Sequence, residues 1–114
     1  MTIFEKIIAR ELPAKIVYED EYLIAFEDIK PKAPIHVLLV PKITYATLED
    51  VPIDSDLQQK LLVTARKIAA QLGTAKNYTL HLNVGLDLQQ VPHLHLHLCG
   101  GWDKQEQQKL RQNG

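Results

Sequence analysis

Histidine and leucine alternate strictly over residues 93–98, and this repeat constrains the fold more than any other part of the chain. Successive side chains of a β-strand point to opposite faces of the sheet. The period of two therefore predicts a strand over residues 92–98, with its leucines in the core. The other face, which we expect to be open to solvent, carries His93, His95, His97 and Cys99.

A row of imidazoles is a poor means of stabilising a fold, because each ring needs hydrogen-bond partners and opposes the protonation of its neighbours. One interpretation is a metal site, since imidazole is a common zinc ligand. With a rise of about 3.3 Å per residue, His93 and His97 start about 13 Å apart, so a metal needs ligands from elsewhere, such as His36. The other interpretation, which we favour, is phosphate chemistry, in which one neutral imidazole attacks phosphorus while a neighbour carries a proton.

Composition narrows the class of protein. The chain has 114 residues, 46% of them hydrophobic and 24% charged, which is typical of one globular domain. A formal net charge of -1 gives no support for binding to DNA, RNA or an anionic membrane. Its single cysteine excludes an internal disulfide framework, and we find no secretory signal or membrane span. We expect a cytoplasmic protein with one domain over residues 1–114, whose polar tail frays from about residue 103.

The remaining patterns predict two helices and further strands. Thr2 and Glu5 match a capping box, which begins a short amphipathic helix that Pro13 ends. Apolar residues at helical spacing predict a longer helix over residues 57–72, closed by Gly73. The strands are expected at residues 15–18, 22–26, 35–40, 78–83 and 92–98. The fold class is therefore α+β, an antiparallel sheet of about five strands with one long helix on one face and a short N-terminal helix.

Residues 89–98, Gln-Gln-Val-Pro-His-Leu-His-Leu-His-Leu, resemble the signature of the histidine triad (HIT) family of nucleotide hydrolases and transferases. Similarity from about Thr2 to Gly101 indicates its purine nucleoside phosphoramidase branch. The resemblance implies cleavage of the P–N bond of nucleoside 5′-phosphoramidates through a covalent nucleotidyl-histidine intermediate, by a homodimer without metal or other cofactor. The alternatives are hydrolysis of dinucleoside polyphosphates, nucleotidyl transfer, or a nucleotide-binding interaction module with little activity.

The resemblance also implies roles for the histidines. His95 is the expected nucleophile toward the α-phosphorus, and water then hydrolyses the intermediate. His93 is expected to order the histidines, and His97 to contact phosphate or the leaving group. His36 is expected to lie beside them on its own strand. His81 matches no position of the family, and we assign it a structural role.

Other residues are expected, by the same resemblance, to bind a purine nucleoside monophosphate or phosphoramidate. Asp28 resembles the family's acceptor for the ribose hydroxyls, and Asn83 is expected to face the phosphate. Gln90 stands where Ser or Thr is common and can still donate a hydrogen bond to phosphate. The loop over residues 85–90 is one residue shorter than the family's pattern, and Trp102 stands where Arg is common. The nucleoside cleft is assigned to Leu12, Phe26, Glu27 and Ile29.

Overall fold

The structure is a computed structural model and describes residues 1–102. Its elements are α1 (Ile3–Ile8), β1 (Ile16–Glu19), β2 (Leu23–Glu27), β3 (Ile35–Pro41), a 3-10 turn (Leu48–Asp50), α2 (Leu57–Gln71), β4 (Tyr78–His81) and β5 (Leu96–Gly100). The strands form one antiparallel sheet in the order β1-β2-β3-β5-β4. This confirms the predicted α+β class, with a five-stranded sheet, one long helix and a short N-terminal helix.

The two helices begin close to the predicted residues. Thr2 Oγ1 accepts a hydrogen bond from the Glu5 N–H at 3.1 Å, and the Glu5 carboxylate accepts one from the Thr2 N–H at 2.8 Å. This capping box starts α1 as expected. The helix ends at Ile8, well before Pro13, because Arg10 adopts a left-handed φ of 63°. The longer helix α2 ends at Gln71, followed by a left-handed Gly73 with φ of 76°.

Both faces of the sheet are covered over its central strands. On one face, α2 packs on the side chains of β2, β3 and β5 that share that face; its contributors are Leu61, Ala65, Ile68 and Ala69. On the other face, Phe4 and Ile7 of α1 pack against Ile24, Phe26, Leu38 and Val40. The expectation of one open face is therefore wrong where α1 packs. Coverage on both sides also explains why β2 and β3 read as continuous apolar runs.

The strand that follows the histidine repeat starts later than predicted. β5 begins at Leu96 instead of residue 92, because the preceding residues form their hydrogen bonds outside the sheet. The Leu94 N–H, for example, donates to the Tyr45 carbonyl at 2.7 Å, and Pro92 has no N–H to donate. β4 similarly ends at His81, two residues before the predicted end. The alternation of side chains continues through the irregular segment, since Leu94 is 1% exposed on the α2 side.

Within residues 1–102, no helix is both long and apolar enough to cross a membrane. The tail that we expected to fray lies outside the described residues. The single-domain boundary and the cytoplasmic location stay predictions.

Candidate functional site

The five histidines of the chain lie in one group of neighbouring rings, which we call the histidine cluster. His97 of β5 lies between β3 and β4 and has neighbours on both sides. Its ring centroid is 5.2 Å from that of His36, 5.8 Å from that of His81 and 5.0 Å from that of His95. The fifth ring, that of His93, contacts the rest through the Phe4 ring. Residues far apart in the chain thus meet because β5 is central to this part of the sheet.

Hydrogen bonds fix which nitrogen of His36 and His97 carries the proton. The Lys32 backbone N–H donates to His36 Nδ1 at 3.1 Å, so the proton of a neutral His36 is on Nε2. His36 Nε2 lies 2.9 Å from His97 Nδ1 and donates to it. A neutral His97 therefore carries its own proton on Nε2, which makes no hydrogen bond within the described residues. This relay leaves His97 as a hydrogen-bond donor toward the open side of the cluster.

Burial keeps this pair neutral at physiological pH. Desolvation lowers the pKa of His36, although the Asp28 carboxylate, 3.5 Å from its Nε2, opposes the shift. Desolvation, together with the charges that the surrounding histidines would carry, lowers the pKa of His97 from 6.5 to about 4. His97 is thus a neutral hydrogen-bond donor near pH 7, with its proton on Nε2.

His95 has the opposite tautomer. Its Nδ1 lies 2.7 Å from the His93 carbonyl oxygen, which can only accept, so in the neutral ring Nδ1 carries the proton and Nε2 has a free lone pair. His95 Nε2 has no hydrogen-bond partner among the described residues. Since no fully buried side-chain nitrogen or oxygen in this part of the chain lacks a partner, His95 Nε2 is not fully buried, although the residue as a whole is only 7% exposed. An accessible neutral nitrogen with a free lone pair is a nucleophile.

His93 is anchored at both ring nitrogens. Its Nε2 donates to the Pro41 carbonyl at 2.8 Å, and its Nδ1 lies 3.3 Å from Thr2 Oγ1. The side chain is fully buried, and desolvation lowers its pKa. We expected all three histidines of the repeat on a solvent-facing side; His93 and His95 are instead buried, because Phe4 of α1 packs edge-on against both rings. The same-side arrangement holds, but its solvent exposure does not.

Thr2 and Phe4 are the residues that sequence reasoning missed. The capping box identified Thr2 as the start of a helix, but its hydroxyl also contacts His93. The sequence places Phe4 in the short amphipathic helix, and the structure shows in addition that its ring centroid lies 5.0 Å from that of His95 and 5.5 Å from that of Phe26. No local pattern shows that a helix near residue 4 packs on a repeat near residue 95.

The residues expected to bind the nucleoside are only partly brought together. Phe26 is buried on the histidine side of the sheet, and Asp28 lies next to His36. Ile29 is 90% exposed and offers free apolar surface just after Asp28. Leu12 lines a separate open groove of about 350 Å³ beside α1. Glu27 lies opposite Val37 in the sheet, and Val37 belongs to the face that α2 covers. The exposed Glu27 side chain forms an ion pair with Lys15 at 3.5 Å.

The residues expected near phosphate also separate into two groups. Asn83 Oδ1 lies 2.9 Å from His81 Nε2, which connects it to the histidine cluster. Gln90 is exposed and lines an open groove of about 520 Å³ with Met1 and Thr2. The structure therefore links Asn83, but not Gln90, to the histidines through a described contact.

The loop over residues 85–90 and the pair Gly100 and Gly101, which flank the histidine repeat, are held by internal hydrogen bonds. Buried Gln89 accepts from the Gly85 N–H at 3.0 Å and donates to the Ala46 carbonyl at 2.8 Å. The Gly101 N–H donates to the buried Thr74 hydroxyl at 3.0 Å. Gly101 also has a left-handed φ of 87°. That N–H is therefore committed to the fold, and the glycine pair serves packing and backbone geometry.

One set of side chains has the spacing of a metal site. The ligand atoms of Asp28, His36 and His97 lie within 4.8 Å of one another. A metal-bound neutral imidazole donates its second N–H to an acceptor. His36 Nδ1 instead faces the Lys32 N–H, which is a donor. The surroundings of His36 thus favour the neutral hydrogen-bonded pair over a metal ligand.

Comparisons with known proteins agree on one family. A family model described as the HIT domain matches residues 9–104. An uncharacterised HIT-like protein of Synechocystis sp. is 49% identical over 102 residues, covering 88% of this chain and 90% of the relative. The purine nucleoside phosphoramidase of Escherichia coli (strain K12) is 45% identical over 103 residues, covering 88% of this chain and 87% of the relative.

Solved structures give the same result. The crystal structure of a HIT family hydrolase from Legionella pneumophila matches with a TM-score of 0.84 at 43% identity, covering 89% of this chain and 93% of that one. A HIT family hydrolase from Clostridium thermocellum matches with a TM-score of 0.83 at 45% identity, covering 88% and 90%. Each of these two solved structures thus matches 88% or more of this chain.

Proposed function

The chain belongs to the HIT domain family and is a hydrolase of that family, and we propose that its substrates are nucleoside 5′-phosphoramidates. The observation that carries the proposal is the pair of complementary tautomers at neighbouring rings. His95 presents an accessible lone pair on Nε2, and His97 presents an N–H on Nε2. The two ring centroids are 5.0 Å apart, a separation that suits contact with one phosphoryl group. Similarity to a purine nucleoside phosphoramidase supports the same substrate class.

In the proposed first step, His95 Nε2 attacks the α-phosphorus and the P–N bond breaks. The positive charge that develops on the His95 ring is stabilised by the His93 carbonyl, which accepts from Nδ1 at 2.7 Å. The departing nitrogen has to gain a proton, because an amide ion is a very poor leaving group. Solvent supplies that proton, while the neutral His97 Nε2–H donates a hydrogen bond to a phosphoryl oxygen and stabilises the charge that develops there. The products of this step are the free amine and a nucleotidyl-His95 intermediate.

In the second step, water attacks the phosphorus and the bond to His95 Nε2 breaks. The nucleoside monophosphate leaves, one proton is released, and His95 returns to the tautomer that the His93 carbonyl favours. The protein supplies nucleophile, donor and orientation in this scheme, and we propose that it acts without metal.

For nucleoside recognition, we propose that the Asp28 carboxylate accepts hydrogen bonds from the ribose hydroxyls. Its Oδ1 already accepts from the Lys30 N–H at 2.9 Å, which holds the carboxylate beside the histidine cluster. The exposed Ile29 offers apolar surface for a base beside this carboxylate, and small-molecule sites commonly combine apolar surface with a few polar groups.

We also propose that the protein is a homodimer that continues the sheet through β4. Within residues 1–102 this strand is an edge of the sheet, with β5 as its neighbour, and an unpaired edge is free to pair with a second copy. Leu80 of β4 is 37% exposed, and Leu62 and Val63 of α2 are 56% and 40% exposed. Two copies related by a twofold axis would cover both the edge and these side chains.

Trapping the covalent intermediate tests the proposed reaction. Wild-type protein turning over adenosine 5′-phosphoramidate is quenched in base, digested and analysed by mass spectrometry. We expect a nucleotidyl adduct on the peptide that contains His95, and its absence from the His95→Asn variant. Cys99→Ser, a change on the same strand two residues beyond His97, is the matched control and should retain the adduct.

The outcomes separate the remaining interpretations. Turnover by His95→Asn at the wild-type rate would refute the assignment of His95 as the nucleophile. Binding of adenosine monophosphate by wild type, with neither turnover nor adduct, would favour a nucleotide-binding module instead of an enzyme.

A further inference from the structure

His81 is an imidazole that the proposed reaction leaves unused, and its position is not that of a residue supporting the core. It lies at the end of the edge strand β4, directly opposite His97 in the register of β4 and β5. The side chain is exposed, and its ring meets the His97 ring edge-on, with centroids 5.8 Å apart. Side chains directly opposite on antiparallel strands share a face. His81 therefore extends the histidine cluster toward the sheet edge.

The contact between His81 and Asn83 determines how the Asn83 amide can be used. His81 Nε2 lies 2.9 Å from Asn83 Oδ1, and an amide oxygen only accepts, so His81 Nε2–H is the donor. With its oxygen engaged, the amide turns its NH₂ group to the other side. Two N–H donors suit a phosphate oxygen, whereas an amide oxygen facing the same anion would repel it.

We infer that His81 is a positioning residue, which holds the Asn83 amide so that its NH₂ group faces the phosphate of the bound nucleotide. The inference rests on the proposed function in that it assumes a nucleotide phosphate beside His97. It differs from the structural role that we assigned to His81 from the sequence. Because both side chains lie outside the core, a hydrogen bond between them adds little to folding stability. Its effect should appear in phosphate binding instead.

The test compares the affinity for adenosine monophosphate with that for adenosine, which lacks the phosphate. Isothermal titration calorimetry is carried out on wild type, His81→Leu and His81→Gln. We expect His81→Leu to weaken the binding of adenosine monophosphate about tenfold, the order of magnitude of one hydrogen bond to a charged oxygen. The affinity for adenosine and the midpoint of urea unfolding should stay at wild-type values. His81→Gln, which keeps an N–H donor, should restore most of the lost affinity.

A double variant separates positioning from any direct contact of His81 with phosphate. In an Asn83→Ala background, His81→Leu should have no further effect, because the amide that it orients is gone. Equal losses for adenosine and adenosine monophosphate, an unchanged affinity for both, or additive losses in the double variant would overturn the inference. These results concern binding alone. If the wild-type protein binds adenosine monophosphate but forms no adduct on His95, the proposed reaction is wrong. The binding comparison still decides the role of His81 in that case.

Discussion

The low pKa of His97 predicts a specific loss of stability in mild acid. In the unfolded chain His97 should titrate near 6.5, while in the folded protein its pKa is lowered to about 4. The unfolded state therefore binds a proton first as the pH falls, which favours unfolding. The contribution is absent above about pH 6.5, grows as the pH falls, and stops growing below about pH 4.

The size of the effect follows from the difference between the two pKa values. At pH 5, about 1.5 units below the unfolded value of 6.5, His97 alone should cost about 2 kcal/mol of folding free energy, at 1.36 kcal/mol per unit. Urea unfolding of wild type and His97→Gln at pH 7.5 and pH 5.0 measures this quantity directly. We expect wild type to lose about 2 kcal/mol more than His97→Gln over this interval.

Groups that do not contact His97 contribute equally to both proteins and cancel in the comparison. Burial also lowers the pKa values of His36 and His93, so the variant should retain part of the acid sensitivity. Cys99→Ser is the matched control, because the pKa of that thiol is raised and it stays protonated over this range. Equal losses in wild type and His97→Gln would refute the reasoning, since they would show that His97 titrates alike in the folded and unfolded states.

Two further predictions concern packing and assembly. A Cβ on Gly100 would overlap the buried Thr74 Oγ1, which accepts a hydrogen bond from the Gly101 N–H. Gly100→Ala should therefore lower the free energy of unfolding by about 2 kcal/mol, measured with urea. An unchanged unfolding midpoint would contradict this prediction. Leu80→Glu on the edge strand should convert the proposed dimer to a monomer in light scattering at micromolar concentration. Ile43→Glu, at a 65% exposed loop position, should leave the dimer intact, and a dimer that survives Leu80→Glu would exclude pairing through β4.

Local chemistry explains why parts of the fold could be predicted from the sequence. The Thr2 and Glu5 capping box, the apolar spacing of α2 and the run that became β3 each depend on neighbours within a few residues, and the structure contains all of them. The predicted start of β5 was wrong because the actual start depends on a hydrogen bond from the Leu94 N–H to the Tyr45 carbonyl, and Tyr45 lies far away in the chain.

The candidate site was predictable in its residue types but not in its contacts. Alternation correctly grouped His93, His95 and His97 on one side of the chain. It could not show that Phe4 covers that side, since this depends on how α1 packs across the sheet. Nor could it show that His81 is opposite His97, because register between strands depends on the whole sheet.

The hydrogen bond from His95 Nδ1 ends on a main-chain carbonyl, and this has a consequence for how the protein can be altered. No change of side chain at position 93 removes that oxygen, so the reactive form of the imidazole survives substitutions that would abolish a carboxylate partner. Side chains elsewhere around the site can then be varied while the attacking atom keeps its electron pair. Laboratory redesign should accordingly leave the polypeptide path through residues 93–95 untouched.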